Sequence, residues 1–146
     1  MNIKHVVFLL ILVSIGVSCK VELSEIKYGA DQCHYCKMNI VDKLHAAQYV
    51  TKKGKQFKFD AIECMINQLE ELDANDIALM GVSDYADAPG TIIDASNATY
   101  IISKAIKSPM GANLSALSSK EKAIGLQKEH KGDIYDWNSI KAVLRK

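Results

Sequence analysis

Apolar residues recur along this chain in two rhythms. Gln56-Phe57-Lys58-Phe59 alternates, so both rings fall on one face of a strand. Ala46-Ala47-Gln48-Tyr49-Val50-Thr51 is a second strand. Between them lies Lys52-Lys53-Gly54-Lys55, a polar turn with glycine for the awkward backbone angle. The pair reads as a hairpin. The rhythm then changes: Ile62, Met65, Ile66, Leu69 and Leu72 follow helical spacing and form one stripe. Met65, on that stripe, reads as core rather than ligand. Asp60 and Glu63 stand in front at capping-box spacing. Ile77 to Val82 is a strand, and Pro89-Gly90 is the joint of the chain. Thr91-Ile92-Ile93 and Thr99-Tyr100-Ile101-Ile102 are β-rich runs, and Ser108-Pro109-Met110-Gly111 is a turn. Ser118 with Glu121 opens a helix through about Glu129, and Gly132 ends that unit. Ile134-Tyr135 is a short strand. Asp136 then caps a last helix carrying Trp137, Ile140, Val143 and Leu144. Ahead of all this, Ile26 to Gly29 reads as a strand delivering the chain to a pair of cysteines.

The order of these elements repeats. Tyr28 and Tyr100, Cys36 and Ser108, and Met38 and Met110 are each 72 positions apart. Phe59-Asp60 opens a helix in one half and Tyr135-Asp136 in the other, so a short insertion in the second half brings the two into line. The expectation is an α+β fold of two small β-β-α-β lobes, residues 26–88 and 89–146.

The N-terminus adds a compartment. Lys4, the apolar run Val6 to Val13, and Ser14 to Ser18 before Cys19 form a secretory signal over residues 1–18. The run is too short for a membrane span, which needs about 20 apolar residues. Small Ser18 before Cys19 has the form of a bacterial lipobox, with Gly16 in place of the usual leucine. Cys19 would carry lipid, residues 19–25 would be a tether, and Lys20 after the cysteine favours the outer membrane. Cleavage removes Lys4 and leaves 17 basic and 17 acidic side chains. Without a basic stripe, nucleic acid is excluded as a partner. Three other cysteines remain, Cys33, Cys36 and Cys64, an odd number that argues against a closed disulfide framework.

Candidate chemistry concentrates in Cys33-His34-Tyr35-Cys36-Lys37-Met38. Two thiols, an imidazole and a thioether fall within six residues. Thiolate and thioether sulfur suit soft Cu(I), whereas a structural zinc site has little use for methionine. In an extended segment alternate residues share a side, so Cys36 and Met38 can face one ion, while Cys33 needs the chain to bend. Cys36 is then the anionic ligand, and Cys33 or Met110 completes the site. His34 is the weaker candidate; His45 and His130 read as surface residues. Cys64 lies off the apolar stripe, in a helix first turn that favours a thiolate. It is either a third sulfur or a locally packed thiol. Two rival classes stay open: a CxxC thiol-disulfide oxidoreductase using Cys33 and Cys36, and a structural zinc domain. No nucleophile–base pair, phosphate loop or paired carboxylates is visible, so no catalytic turnover is expected.

These residues resemble a family. Cys36-Lys37-Met38-Asn39-Ile40 with Asp42, Ala47-Gln48, Phe59-Asp60, Cys64-Met65, Asp84-Tyr85, Asp94-Ala95, Tyr100 and Pro109-Met110-Gly111 are similar to NosL, the lipoprotein accessory to nitrous oxide reductase. Leu117 departs from the family's usual phenylalanine. The resemblance implies two lobes related to treble-clef metal domains. It implies an envelope copper chaperone that holds Cu(I) for the reductase and works with a membrane transporter assembly.

Overall fold

The computed structural model describes residues 21–145. The signal segment and Cys19 lie outside the described residues. Strand β1 (Ala47–Thr51) and β2 (Gln56–Phe59) form the expected hairpin, turning at Gly54 with φ +81°. Helix α1 (Ile62–Leu69) follows, then β3 (Ile77–Ser83) and β4 (Ile92–Asp94). These strands make one antiparallel sheet in the order β2-β1-β3-β4. Strands β5 (Thr99–Ile102) and β6 (Leu114–Leu117), helix α2 (Lys120–His130) and β7 (Asp133–Tyr135) follow, with β6-β5-β7 as a second antiparallel sheet. Helix α3 (Trp137–Leu144) closes the chain.

The fold is α+β, and both sheets begin with the same plan. In each, the first strand lies between the second and third, and a helix runs between the second and third. Four details differ from the sequence reading. The first sheet takes in β4, beyond the Pro89-Gly90 joint. Strand β6 has no signal in Leu114-Ser115-Ala116-Leu117, which is poor in β-branched residues; it exists because all four residues are buried. The helix that answers α1 in strand order is α2, so α3, after Tyr135-Asp136, is an addition of the second half. Ile26 to Gly29 is not a strand but runs into a turn.

One core spans both halves. Tyr49, Phe59, Met65, Tyr100 and Trp137 belong to it, and Met65 is fully buried, as its stripe position indicates. The sheets meet where Asp84 bridges Ala116 of β6. Residues 22–25 lie against β2: Gln56 Nε2 donates to the Glu22 carbonyl at 2.7 Å, and Lys58 Nζ to the Glu25 carbonyl at 2.6 Å. Leu23 packs so near Gly81 that a Cβ there would sit 2.7 Å from Cδ1. Among the described residues no helix is long and apolar enough to cross a membrane.

Candidate metal centre

The two-residue loop of the CxxC is a knuckle. Cys33 N–H donates to the Met38 carbonyl at 2.8 Å, and Lys37 N–H donates to the Cys33 carbonyl at 3.0 Å. Gln32 and Asn39 form a bridge behind it. The turn closes because Lys37 takes φ +66°, a conformation that costs a non-glycine residue free energy. Lys37 Nζ donates to the His34 carbonyl across the same turn. This bend brings Cys33 to Cys36, which an extended chain would keep apart. His34 N–H donates to the Lys58 carbonyl at 2.8 Å, and Val41 N–H to Asp60 Oδ1 at 3.4 Å, so the knuckle is fastened to the end of β2.

Helix α1 starts at the same place. Its N-cap is Ala61, with no side-chain cap. The expected Asp60–Glu63 box does not form, because Asp60 serves Val41 and Glu63 turns to the second half. The first five residues of α1 are all buried. A residue off the apolar stripe is therefore not exposed here, and Cys64 points inward at 1% exposure. The Sγ atoms of Cys33, Cys36 and Cys64 all lie within 4.8 Å of one another. All three are free; Cys33 and Cys64 are buried and Cys36 is half-buried.

Electrostatics make the three thiols unequal. The Cys64 thiol donates a hydrogen bond to Cys33, and backbone groups of Asp60 and Cys36 add to it against the cost of burial. Together they bring Cys33 down to about 4. Burial pushes Cys36 up, and the charge on Cys33 pushes the same way. Cys64 is raised because it is the donor to Cys33 and is itself buried. Hydrogen bonding therefore favours the thiolate at Cys33, and burial disfavours it at Cys36. A cation bound among the three sulfurs would reverse the repulsion between thiolates.

The two candidate methionines lie at the surface. Met38 is 48% exposed and Met110 42%. The turn that carries Met110 is tied to Glu63, the residue before Cys64: Ser108 Oγ donates to Glu63 Oε1 at 2.9 Å, and Ala112 N–H at 3.2 Å. His34 stands outside the thiol group, its ring edge-on to Phe57 at 4.7 Å.

The family model of NosL matches residues 25–144. The chain belongs to the NosL family. The crystal structure of the copper chaperone NosL from Shewanella denitrificans shares the fold, with a TM-score of 0.71 at 19% identity, over 81% of this chain and 94% of that one. No curated protein sequence matches the chain.

In this NosL-family chain three of the motif stretches meet near one end of the first sheet. The knuckle, the β2–α1 junction and the Pro109-Met110-Gly111 turn converge there from three separate stretches. Cys64 is the member of the thiol group that sequence reasoning left open, and its helix position was the available signal. His45 was read as a surface residue and is instead 2% exposed. Its Nδ1 meets Asp42 Oδ2 at 3.0 Å and its Nε2 meets Ser115 Oγ at 3.2 Å. The order Asp-His-Ser imitates a hydrolase triad. Ser115 is fully buried, however, so the contact ties the two halves together and offers no hydroxyl to a substrate.

Proposed function

We propose that the protein carries Cu(I) as cargo, held by Cys33, Cys36 and Cys64 with Met38 and Met110 at the exposed rim, and passes it to a recipient protein. The observation that carries this reading is three sulfur atoms within 4.8 Å of one another, with no carboxylate or imidazole in the group. An all-sulfur donor set selects soft ions over Ca²⁺ or Mg²⁺. The likeness to a copper chaperone of the same fold supports it. Cargo must also leave. The thioethers need no protonation to let go, and half-buried Cys36 is the thiol a recipient's sulfur reaches first. Exposed Tyr35, Met38, Val41 and Met110 give that end of the molecule apolar surface for a docking partner. The role is binding and transfer, without catalytic turnover. The recipient implied by the family resemblance is nitrous oxide reductase, served together with a membrane transporter assembly.

Native mass spectrometry of the reduced protein offered Cu(I) and Zn(II) together tests the reading. One copper per chain, retained against zinc, is the expected result. Zinc alone in the site would make it a structural zinc domain. Insulin reduction dependent on Cys33 and Cys36, with no copper bound, would make it an oxidoreductase. The geometry speaks against that last reading, since Cys36 leads into a turn and a bridge rather than a helix.

The same proposal places the protein in the cell envelope, lipid-anchored at Cys19 and facing the periplasm, with the outer membrane favoured. Cys19→Ala is expected to release the protein from the membrane fraction. Membrane retention of that variant without acyl chains would refute the anchor.

A further inference from the structure

Glu63 is a buried carboxyl residue whose hydrogen bonds among the described residues lead to one turn. It sits in the first turn of α1, directly before Cys64, and is 6% exposed. Its Oε1 accepts from the Ser108 hydroxyl and from Ala112 N–H, the two ends of the segment that carries Met110. Ser108 Oγ also accepts from Asn113 N–H at 2.9 Å, and the Ser108 carbonyl accepts from Gly111 N–H at 3.1 Å. Pro109 and Met110 are therefore the central residues of a closed turn. Proline sets φ at the first, and Gly111, at φ +84°, takes the chain out of it. Met110 at the tip is too exposed to be fixed by its own packing. What fixes it is one carboxylate oxygen reached from across the molecule.

Burying a carboxylate is costly unless it is paired. Glu63 Oε2 has no hydrogen-bond partner among the described residues, so stability alone accounts poorly for a buried carboxyl group here. Two donors converging on one carboxyl oxygen, at 2.9 and 3.2 Å, fix the turn against the start of α1.

We propose that Glu63 is a positioning residue: it clasps the Ser108–Ala112 turn against the start of α1 and so holds the Met110 thioether at the mouth of the thiol site. The proposal rests on the copper reading above. It assigns the second half of the molecule a definite task, that of presenting one soft ligand, with Glu63 as the link between halves.

The test uses Cu(I)-loaded, selenomethionine-labelled protein in a Met38→Leu background, read by X-ray absorption at the copper edge. Met65 is locked in the core and Met80 lines a groove beside Trp137, so a copper–selenium contact reports Met110. Met110→Leu, which removes that selenium, is the control. Glu63→Ala is expected to lose the copper–selenium contact while keeping one copper, with affinity lower by about tenfold, as for removal of other groups that orient ligands. Glu63→Gln keeps a carbonyl oxygen for both donors and is expected to retain the contact. Ser108→Ala, which removes one donor without touching α1, is expected to weaken it. Circular dichroism follows the fold throughout. A full copper–selenium contact in folded Glu63→Ala, or in Ser108→Ala should Glu63→Ala not fold, overturns the clasp. Absence of the contact in the Met38→Leu parent overturns instead the assignment of Met110 as a ligand.

Discussion

Replacing Cys36 with serine is expected to lower Cu(I) affinity about a hundredfold or more, a loss of ~2.7 kcal/mol, since each tenfold corresponds to about 1.4. The reason is the donor set. Cys36 is one of three sulfurs converging on a single position, and a neutral hydroxyl offers neither charge nor softness to Cu(I). The fold should survive, because Cys36 is half-buried at a turn and its neighbours hold the knuckle by backbone bonds. Competition titration against a Cu(I) chelator gives the affinity, and circular dichroism checks the fold. Cys33→Ser and Cys64→Ser should cost comparable amounts under this geometry. Read from sequence alone, Cys33 was the lesser ligand, because an extended chain points it away. Met38→Leu keeps its volume and loses only a thioether, so its effect should be smaller and fall on affinity rather than stability. Should Cys36→Ser bind copper as tightly as the parent, the three-thiol site is wrong.

Gly132→Ala is expected to destabilise the fold by roughly 2–4 kcal/mol, combining a strained backbone with a steric overlap. Gly132 holds φ +111°, and a Cβ built there would lie 2.3 Å from the Ile102 carbonyl oxygen. That oxygen belongs to β5, the central strand of the second sheet, so neither partner can give way without opening the β5–β7 pairing. Gly125 supplies the contrast. It lies inside α2 with nothing within 4 Å of the position of a Cβ. Gly125→Ala should therefore stabilise by up to ~1 kcal/mol, the difference in helix propensity. Chemical denaturation of the two variants beside the parent measures both. Equal midpoints for Gly132→Ala and the parent would mean that the β5–β7 edge tolerates the shift.

Local pattern carried much of the architecture. The alternation in Gln56–Phe59 with a glycine turn before it, the helical stripe through Met65 and Ile66, and the β-rich Thr99–Ile102 each became the element expected. Asp136 caps α3 as read, in a full capping box with Ser139. At α2 the cap is Ser119 rather than Ser118, a shift of one residue. Signals of this kind are legible because they depend on neighbours within a few positions.

The sequence by itself therefore determined where soft sulfur donors fall along the chain, in the knuckle and in a methionine turn, together with the α+β class and the elements with strong local periodicity. The tertiary structure alone decided which groups meet. Cys64 joins Cys33 because the start of α1 is buried on every side, so a position off the stripe still faces protein. Glu63 and Asp60 leave their expected cap because donors from distant segments, Ser108, Ala112 and Val41, reach them first. Strand β6 forms from residues with little β preference because burial on both faces outweighs propensity. In each case the deciding partner lies far along the chain, and contacts between such partners are set by packing, which a local pattern does not encode.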